Sequence, residues 1–272
     1  MTQTGFITHR LDRCLFMSYR PAAKAEVGNT WYEGDTKTYY ILDGILGLHV
    51  DDFIGGGECL NTVEDLKAYA AEATFLDRVQ QLAKAYKFGK WDFGGEFVFC
   101  GLEVSQNPAC TDITVKTEAY IHKVKPITVE KSRRQNPTDE CDAREISKLR
   151  ALNGAMQWPA AQCMVHAAAT VSLAQAEIAN PTVQTLLDGN KNLRFVKTNG
   201  DLGLHYSYIG PWSELRLGVY WDGSWASRPD GSSQGGHMLF AILDARIDDG
   251  APTPLVTLEW TSRKQRRVCR SS

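Results

Sequence analysis

The sequence predicts an α+β fold, and three patterns support this assignment. From Thr38 to Val50 the chain is rich in aromatic and branched residues, and it then runs into two aspartates, a short apolar pair and three glycines, as a strand and hairpin would. Apolar residues recur at helical intervals between Ala143 and Lys197. After Gly203 apolar and polar residues alternate, which is typical of half-buried strands.

The composition is that of an ordinary globular protein. The chain has 272 residues, of which 43% are hydrophobic and 23% are charged, and this is enough material for one or two cores. The formal net charge is -2, so a site for a polyanion would have to be a local basic patch. No apolar run approaches the length of a bilayer span, and we expect no membrane-spanning segment.

The seven cysteines indicate a reducing compartment. They are scattered along the chain, with no Cys-x-x-Cys pair and no zinc-like spacing with histidine. No signal peptide is recognisable at the start of the sequence. We therefore expect an intracellular protein, cytoplasmic or nuclear and not secreted, without a structural zinc site.

The segment around the two aspartates predicts the most specific local structure. We expect Thr38 to Gly57 to form an antiparallel hairpin with Asp51 and Asp52 at or near its turn. The sequence Asn61-Thr62-Val63-Glu64 has the spacing of a capping box. It predicts a long helix that begins near Thr62 and packs on the hairpin.

The middle of the chain predicts two short strands followed by a polar connection. Glu96 to Ser105 and Ile113 to Lys116 are strand-like, whereas Ser132 to Cys141 is polar and interrupted by proline. We place a domain boundary in that polar stretch. The helical pattern that follows is expected to break at Pro159 and to restart at Asn180-Pro181, because asparagine can cap a helix and proline suits its first turn.

The last third of the chain predicts a sheet. Its strand candidates centre on Leu215 to Trp221, Gly236 to Leu243 and Leu255 to Trp260. In the first of them, Leu217 and Val219 lie on the same face as Leu215 and Trp221. We expect the preceding helical segment to cover this apolar face, or the face to stay exposed and promote association.

Asp51 and Asp52 are the sharpest chemical feature of the sequence. Two adjacent carboxylates repel each other and need a compensating cation, for which Mg²⁺ is the natural choice. In polymerases two such ions flank the reacting phosphates. Aspartate pairs are also common in turns, where most of them are only solvated. On the dipeptide alone, the solvated turn is the better interpretation.

The surroundings of this pair and six further segments carry a resemblance. The apolar strand that runs into Val50-Asp51-Asp52-Phe53-Ile54 resembles the YVDD hairpin of reverse transcriptases, and the order of elements resembles the copia-type retrotransposon (retrovirus-related) Pol polyprotein over nearly the whole chain. The other segments similar to motifs of that family are GFITHRLDRCLF (Gly5 to Phe16), FVFCGLEV (Phe97 to Val104), LRALNGAMQW (Leu149 to Trp158), NLRFVKTNGDLGLHY (Asn192 to Tyr206), LGVYWDGSWASRPDGSSQGGHMLF (Leu217 to Phe240) and LEWTSRKQRRVCRSS (Leu258 to Ser272).

The resemblance implies a domain order. Residues 1-131 would be the C-terminal part of a reverse transcriptase palm, truncated at its start, with the YVDD-like hairpin in it. Residues 132-202 would be a helical thumb or connection region. Residues 203-272 would be an incomplete RNase H-like mixed sheet, truncated at its end.

The resemblance also implies a chemistry. Asp51 and Asp52 would be catalytic Mg²⁺ ligands of the polymerase, and Asp222 would be the first catalytic, metal-binding carboxylate of RNase H. The FVFCGLEV segment would belong to the region that grips the primer end. The intact enzyme would act on an RNA template, an RNA–DNA hybrid and dNTPs by two-metal phosphoryl transfer.

The sequence departs from the family pattern in ways that bear on activity. His49 stands where the family usually has tyrosine. We find neither the strand with the third polymerase carboxylate nor the acidic helix with the next RNase H carboxylate. A two-metal site with an incomplete set of carboxylates binds its ions weakly and positions them badly. We therefore expect this chain alone to lack both activities.

Two alternatives stay open. The first is a non-catalytic nucleic-acid-binding or scaffold relic of the same element. The second, which is the least favoured interpretation, is an unrelated metal-dependent hydrolase centred on Asp51 and Asp52. We expect Trp212 and Trp225 to pack rather than to stack on bases. One dense basic run consists of Arg263, Lys264, Arg266, Arg267 and Arg270. It would contact phosphate, direct nuclear import or be a solvated segment.

Overall fold

The computed structural model describes residues 4–22, 30–33, 38–58, 64–228, 230–244 and 252–265. The fold is α+β, as predicted, with three antiparallel sheets and several helices. The chain divides into two compact units, Met1–Cys100 and Gly101–Ser272. The predicted divisions after residues 131 and 202 do not coincide with this boundary, and the three-domain assignment stays a prediction.

The first unit is built on a five-stranded antiparallel sheet. Its strands are β1 (Ile7–Thr8), β2 (Leu15–Ala22), β3 (Thr30–Glu33), β4 (Thr38–His49) and β5 (Asp52–Gly57). The order is β1-β2-β4-β3, and β5 pairs with the end of β4. The predicted hairpin is therefore formed by β4 and β5, with Asp51 in its turn and Asp52 as the first residue of β5.

The helix after the hairpin, α1 (Phe75–Ala85), begins later than predicted. Residues 61–63 of the expected capping box lie outside the described residues, and residues 64–74 contain only a 3-10 turn at Asp65–Lys67. Thr74 caps the helix instead, because its side chain accepts a 3.3 Å hydrogen bond from the backbone N–H of Asp77. The buried face of α1 is apolar and consists of Phe75, Leu76, Val79 and Leu82.

Glycines let α1 approach the hairpin closely. A Cβ atom at Gly44 or Gly57 would overlap the ring of Phe75, so only glycine fits at these two places. Phe75 joins Phe16 and other apolar residues of the sheet in the core of the first unit. The last strand of this unit is β6 (Glu96–Phe99).

In the second unit, a group of helices comes in the sequence between the second and the third of three paired strands. The strands β7 (Leu102–Gln106), β8 (Asp112–Lys116) and β9 (Leu204–Ser207) pair antiparallel in that order. The helices between β8 and β9 are α2 (Glu118–Lys123), α3 (Lys131–Arg134), α4 (Ala143–Gln162), α5 (Ala168–Ala176) and α6 (Val183–Thr198). Met156, Val171 and Leu186 are fully buried in the core between them.

Two helix boundaries differ from the prediction. Helix α4 continues through Pro159 and ends at Gln162, because the hydrogen bond that proline removes lies near the helix end rather than in its middle. Helix α6 begins after Thr182 and not at Asn180-Pro181. The hydroxyl of Thr185 accepts a 3.1 Å hydrogen bond from the backbone N–H of Thr182, which fixes this start.

The polar stretch from Ser132 to Cys141 is not a free linker. The guanidinium of Arg133 donates to both carboxylate oxygens of Glu145, at 2.8 and 3.1 Å, and to the carboxylate of Asp139 at 3.1 Å. It also donates to the carbonyl oxygen of Glu140 at 2.7 Å. These bonds fasten the stretch to the first turn of α4.

The third sheet confirms the three strands predicted after Gly203. They are β10 (Leu215–Ser224), β11 (Gln234–Leu243) and β12 (Leu255–Lys264), paired antiparallel in the order β10-β11-β12. Asp222 lies opposite Gly236, near the end of β10.

The helices cover the opposite face of this sheet, so the apolar face with Leu217 and Val219 stays exposed, which is the second of the two outcomes expected from the sequence. The indole N–H of Trp260 donates a 2.9 Å hydrogen bond to the carbonyl oxygen of Ala160 in α4, and Phe240 is buried on the same face. The opposite face carries Leu217 and Trp221, which are 63% and 80% exposed. Alternation shows which residues share a face, but it does not show which face a neighbouring layer covers.

Candidate metal-binding carboxylates

The turn of the β4–β5 hairpin is short and strained. His49 pairs with Asp52, so the connection consists of Val50 and Asp51 alone. Val50 has a φ of 57°, and its side chain is 83% exposed. A branched residue rarely adopts positive φ, because its Cβ substituents crowd the backbone. Strain of this kind concentrates at functional sites.

The hairpin presents two unpaired carboxylates. Asp51 and Asp52 are both exposed, and neither side chain makes a hydrogen bond or ion pair with a described residue. Adjacent negative charges without a partner attract cations. The pair can therefore bind a cation from solvent without first breaking an interaction within the chain.

The end of β6 lies near this pair. Partial loss of solvent and, second, the negative charge of Asp52 raise the pKa of the Cys100 thiol. Cys100 has a φ of 50°, in the left-handed region. The fold thus brings together two of the segments that carry the resemblance, the aspartate hairpin and the beginning of FVFCGLEV.

Asp222, the third predicted site residue, borders a cavity of about 580 Å³ in the second unit. Its carboxylate is exposed, and Oδ1 accepts a 2.8 Å hydrogen bond from the backbone N–H of Gly223. The side chains that give this cavity its chemical character are Trp221, Asp222, His237, Arg263, Lys264 and Gln265. Among the described lining residues, Asp222 is the one that carries a carboxylate.

The cations around this cavity differ in their partners. Lys264 forms an ion pair with Asp230, and hydrogen bonds from Lys264 and then Ser232 hold the pKa of the Asp230 carboxyl well below its usual range. The guanidinium of Arg263 has no carboxylate partner within the described residues. Among the described residues that line the cavity, the guanidinium of Arg263 and the carboxylate of Asp222 are thus the charged groups without an ion-pair partner.

Neither site forms a full cluster of metal ligands. Within the part of the chain that the structure describes, no three His, Cys, Asp or Glu side chains are grouped so that they could hold a metal ion. Asp51 and Asp52 belong to the first unit and Asp222 to the second. A metal at either place would need further ligands from solvent or substrate.

Other sequence predictions near these sites have mixed outcomes. Trp225 was expected to pack, but it is exposed. The side chain of Trp212 lies outside the described residues, as do the last three arginines of the basic run, Arg266, Arg267 and Arg270. The exposed Arg263 and Lys264 are the described members of that run.

Two buried charged groups were missed. The carboxylate of Asp43 lies in β4, and the guanidinium of Arg228 reaches Ser172 of α5 at 2.9 Å and Gln234 at 2.7 Å. Asp43 interrupts the apolar run Ile41-Leu42-Asp43-Gly44-Ile45, and this interruption was a usable signal. Arg228 lies in a polar loop and gives no such signal.

Comparison with protein-family models, with curated proteins and with solved structures gave no match. None of the helices in the described part of the chain combines the length and the apolar character that crossing a bilayer requires.

Proposed function

We propose that this chain is a reverse transcriptase–RNase H segment of a copia-type retrotransposon polyprotein. The observation that carries the proposal is the β4–β5 hairpin, which holds at a two-residue turn the carboxylates of Asp51 and Asp52, neither of which is paired with a described residue. The apolar strand before the pair, the glycines after it and the packed helix α1 give this pair a rigid support.

The donor set suits magnesium. Mg²⁺ is usually held by one or two protein carboxylates, with water and substrate phosphates completing its octahedron. Asp51 and Asp52 would supply the protein part of such a site. The ion would neutralise charge on the transferring phosphates.

The residues of the chain itself would position this chemistry. The short turn fixes the two carboxylates on adjacent positions, and Val50 projects beside them into solvent. The end of β6, with Cys100 close to Asp52, would approach the primer end. In the second unit Asp222 would be the first RNase H carboxylate, and Arg263 would bind a phosphate of the hybrid strand.

A second candidate function is nucleic-acid binding without turnover. One observation favours it, namely that no third ligand joins Asp51 and Asp52 or Asp222 within the described residues. A site with an incomplete set of carboxylates holds its ions too weakly for efficient phosphoryl transfer. We expect no primer extension and no hybrid cleavage by this chain alone with Mg²⁺ or Mn²⁺.

The test is the magnesium dependence of primer–template binding. The affinity of the full chain for a fluorescent RNA–DNA primer–template is measured by anisotropy with EDTA and with Mg²⁺. We expect Mg²⁺ to strengthen binding, and we expect Asp51→Asn combined with Asp52→Asn to remove that increment. Because the substitutions also remove repulsion from phosphate, the increment and not the absolute affinity is the readout.

Glu72→Gln is the matched control, since Glu72 is an exposed carboxylate of the same unit. It should leave the magnesium increment unchanged. Binding that is equally strong in EDTA, with no effect of the double substitution, would favour the non-catalytic alternative. Absence of any binding to the primer–template would contradict both functions. If the chain incorporated nucleotides in a template-dependent way and Asp51→Asn abolished this incorporation, only the prediction that the chain is inactive would be wrong.

A further inference from the structure

Five glycines lie in the hairpin strands β4 and β5, and three of them are explained by close packing. A Cβ at Gly44 or Gly57 would overlap the ring of Phe75, and a Cβ at Gly55 would come within 2.8 Å of the carbonyl oxygen of Ile45. Only glycine fits at these three places. Elsewhere in a strand glycine costs stability, because its unfolded state has more conformations to lose.

The other two glycines, Gly47 and Gly56, have no such explanation. A Cβ at Gly56 would meet no described atom within 4 Å, and a Cβ at Gly47 would meet atoms of Ile54 at ordinary contact distances of 3.5 and 3.7 Å. Neither glycine has a positive φ, and the register between β4 and β5 is continuous at both. A glycine inside a regular strand without a packing reason marks a place where a ligand or another backbone approaches closely.

Both glycines lie on the face of the first sheet that points away from α1. Phe16, Leu46 and Phe53, which alternate with the residues of this face, pack in the core of the first unit. Ile45, in the middle of the face, is 40% exposed. We call this surface the outer face, and its residues, grouped by their pairing across the strands, are Met17–Ile45–Gly56, Leu15–Gly47–Ile54 and His49–Asp52.

The outer face leads to the candidate metal site. Asp52 belongs to it and lies four residues from Gly56 along β5, which is roughly 14 Å at the usual rise per residue. Stacked nucleotides follow one another at about 3.4 Å along a strand, so this length suits about four nucleotides. The two glycines leave room for a backbone, and the apolar side chains beside them can contact sugar rings.

Two arginines border the same end of the sheet. The backbone N–H of Leu48 donates a 2.8 Å hydrogen bond to the carbonyl oxygen of Cys14, so the turn before β2 lies beside the end of β4. The carboxylate of Asp12 fixes this turn by accepting a 2.8 Å hydrogen bond from the N–H of Cys14. Arg10 and Arg13 belong to the turn, and both are exposed without an ion pair to a described residue. Such cations suit phosphate groups.

We propose that the outer face binds the sugar–phosphate backbone of the nucleic-acid strand whose end lies at Asp52. Gly47 and Gly56 set how closely that strand approaches the sheet, and Arg13 binds one of its phosphates. This assignment rests on the proposed function and adds residues outside the metal-binding pair. The arginines at the border favour a polyanion over an apolar protein segment as the occupant.

The experiment separates stability from binding in Gly56→Leu. Urea denaturation measures stability, and anisotropy measures the affinity of the full chain for the fluorescent RNA–DNA primer–template in EDTA and in Mg²⁺. Because a side chain at this position points into open space, the urea midpoint should stay the same or rise. The dissociation constant should nevertheless rise about tenfold or more, since leucine occupies the place of the strand. Measuring the RNA strand and the DNA strand alone shows which of them loses affinity.

Gly89→Leu is the matched control. A Cβ at Gly89 also meets no described atom within 4 Å, and Gly89 lies after α1, in the loop that leads to β6. This variant should bind the primer–template like the unmodified chain. Normal binding by folded Gly56→Leu would overturn the proposal, and so would equal weakening by both leucine variants.

Arg13→Gln tests the phosphate contact. It should weaken binding and reduce the dependence of the logarithm of affinity on the logarithm of salt concentration by about one phosphate contact. Lys84→Gln removes an exposed cation of α1, on the other side of the sheet, and should leave this dependence unchanged. An unchanged salt dependence in Arg13→Gln would contradict the role of Arg13.

A second measurement covers the case in which Gly56→Leu does not fold. Primer–template in EDTA should slow the reaction of Ile45→Cys with N-ethylmaleimide several-fold, and mass spectrometry of the labelled peptide distinguishes this thiol from the native cysteines. Tyr69→Cys, at a position of the same unit that is 95% exposed, is the control and should react at an unchanged rate. Absence of protection at position 45, or equal protection at both positions, would overturn the proposal.

The two proposals fail separately. If Asp51→Asn with Asp52→Asn removes the magnesium increment while Gly56→Leu binds normally, the outer face is wrong and the proposed function stands. If Gly56→Leu weakens binding in EDTA while the double substitution leaves the increment unchanged, the outer face stands and the magnesium site is wrong. Absence of any binding to the primer–template would contradict both.

Discussion

The buried carboxylate of Asp43 accepts a 2.7 Å hydrogen bond from the backbone N–H of Phe75, the first residue of α1. Asp43 is the extra residue of a bulge, because Ser18 pairs with Gly44 and Tyr19 with Leu42. A bulge changes the direction in which side chains point. Here the residue at the bulge is the one whose carboxylate reaches the first residue of α1. Asp43 is only 4% exposed, and no described residue donates a hydrogen bond to its second oxygen.

This contact predicts different effects for two substitutions of Asp43. Asp43→Ala should lower the free energy of unfolding by about 1–3 kcal/mol, because it leaves the buried N–H of Phe75 without an acceptor. Asp43→Asn keeps an acceptor and removes a charge that is costly to bury, so it should change stability by less than about 1 kcal/mol. Urea denaturation measures both. Equal losses for the two variants would show that the hydrogen bond is not the stabilising feature.

Two adjacent glycines of β5 should respond oppositely to alanine. A Cβ at Gly57 would overlap the ring of Phe75, whereas a Cβ at Gly56 meets no atom within 4 Å. Gly57→Ala should therefore destabilise the protein by about 1–3 kcal/mol through overpacking. Gly56→Ala should be neutral or stabilise it by up to about 1 kcal/mol, since it restricts the unfolded chain. Thermal and urea unfolding of both variants would compare them, and similar losses would argue against close packing of α1 on the hairpin.

The positive φ of Val50 predicts that glycine is better tolerated there than valine. Val50→Gly removes the steric strain and loses no buried surface, so we expect the free energy of unfolding to rise by about 1 kcal/mol. Val98→Gly is the control, because Val98 is also an exposed valine but lies in strand β6 without positive φ. It should lower stability by about 1 kcal/mol. A loss of stability in Val50→Gly would mean that the turn is not strained.

The sequence predicts the hairpin and the strands better than the helix starts. Branched and aromatic residues from Thr38 to His49, followed by aspartates and glycines, have few alternatives to a strand and a turn. The predicted start of α1 was wrong because the capping-box spacing at residues 61–64 indicates a start there, whereas the helix is capped by Thr74, which forms no capping box. Capping residues are common in loops, so their spacing identifies a start only together with the packing that follows.

Only part of the candidate site can be predicted from the sequence, because local patterns do not show which distant residues pack together. Asp51, Asp52 and Asp222 are adjacent to strand patterns that the sequence shows, so their positions at a turn and near a strand end could be expected. The cavity beside Asp222 depends on Arg263 and Gln265, which are more than forty residues away in sequence. The open face of β10 depends on where the helices pack. Such long-range placement is not encoded in local periodicity.

The ion pair between Arg133 and Glu145 predicts an acid-sensitive loss of stability. Hydrogen bonds from Arg133 lower the pKa of the Glu145 carboxyl, and the backbone N–H of Glu145 lowers the pKa of Asp142. A carboxyl whose pKa is lower in the folded state stabilises that state above its ordinary pKa, about 4.3 for glutamate. The stabilisation is lost as the pH falls through the lowered pKa. We therefore expect the urea concentration at the unfolding midpoint to decrease as the pH is lowered below about 4.

Glu145→Gln isolates the contribution of this carboxylate. At pH 7 the variant should unfold at a lower urea concentration than the unmodified chain, because it has lost the charged hydrogen bonds to Arg133. At pH 3 and below the difference should shrink, since protonation weakens the same bonds in the unmodified chain. Glu130→Gln, which changes an exposed carboxylate at the start of α3, should show no pH-dependent difference. If the effect of Glu145→Gln were the same at both pH values, packing rather than ionisation would be responsible. The polar stretch from Ser132 to Cys141 would then be held by the shape of the Arg133 side chain and not by its charge.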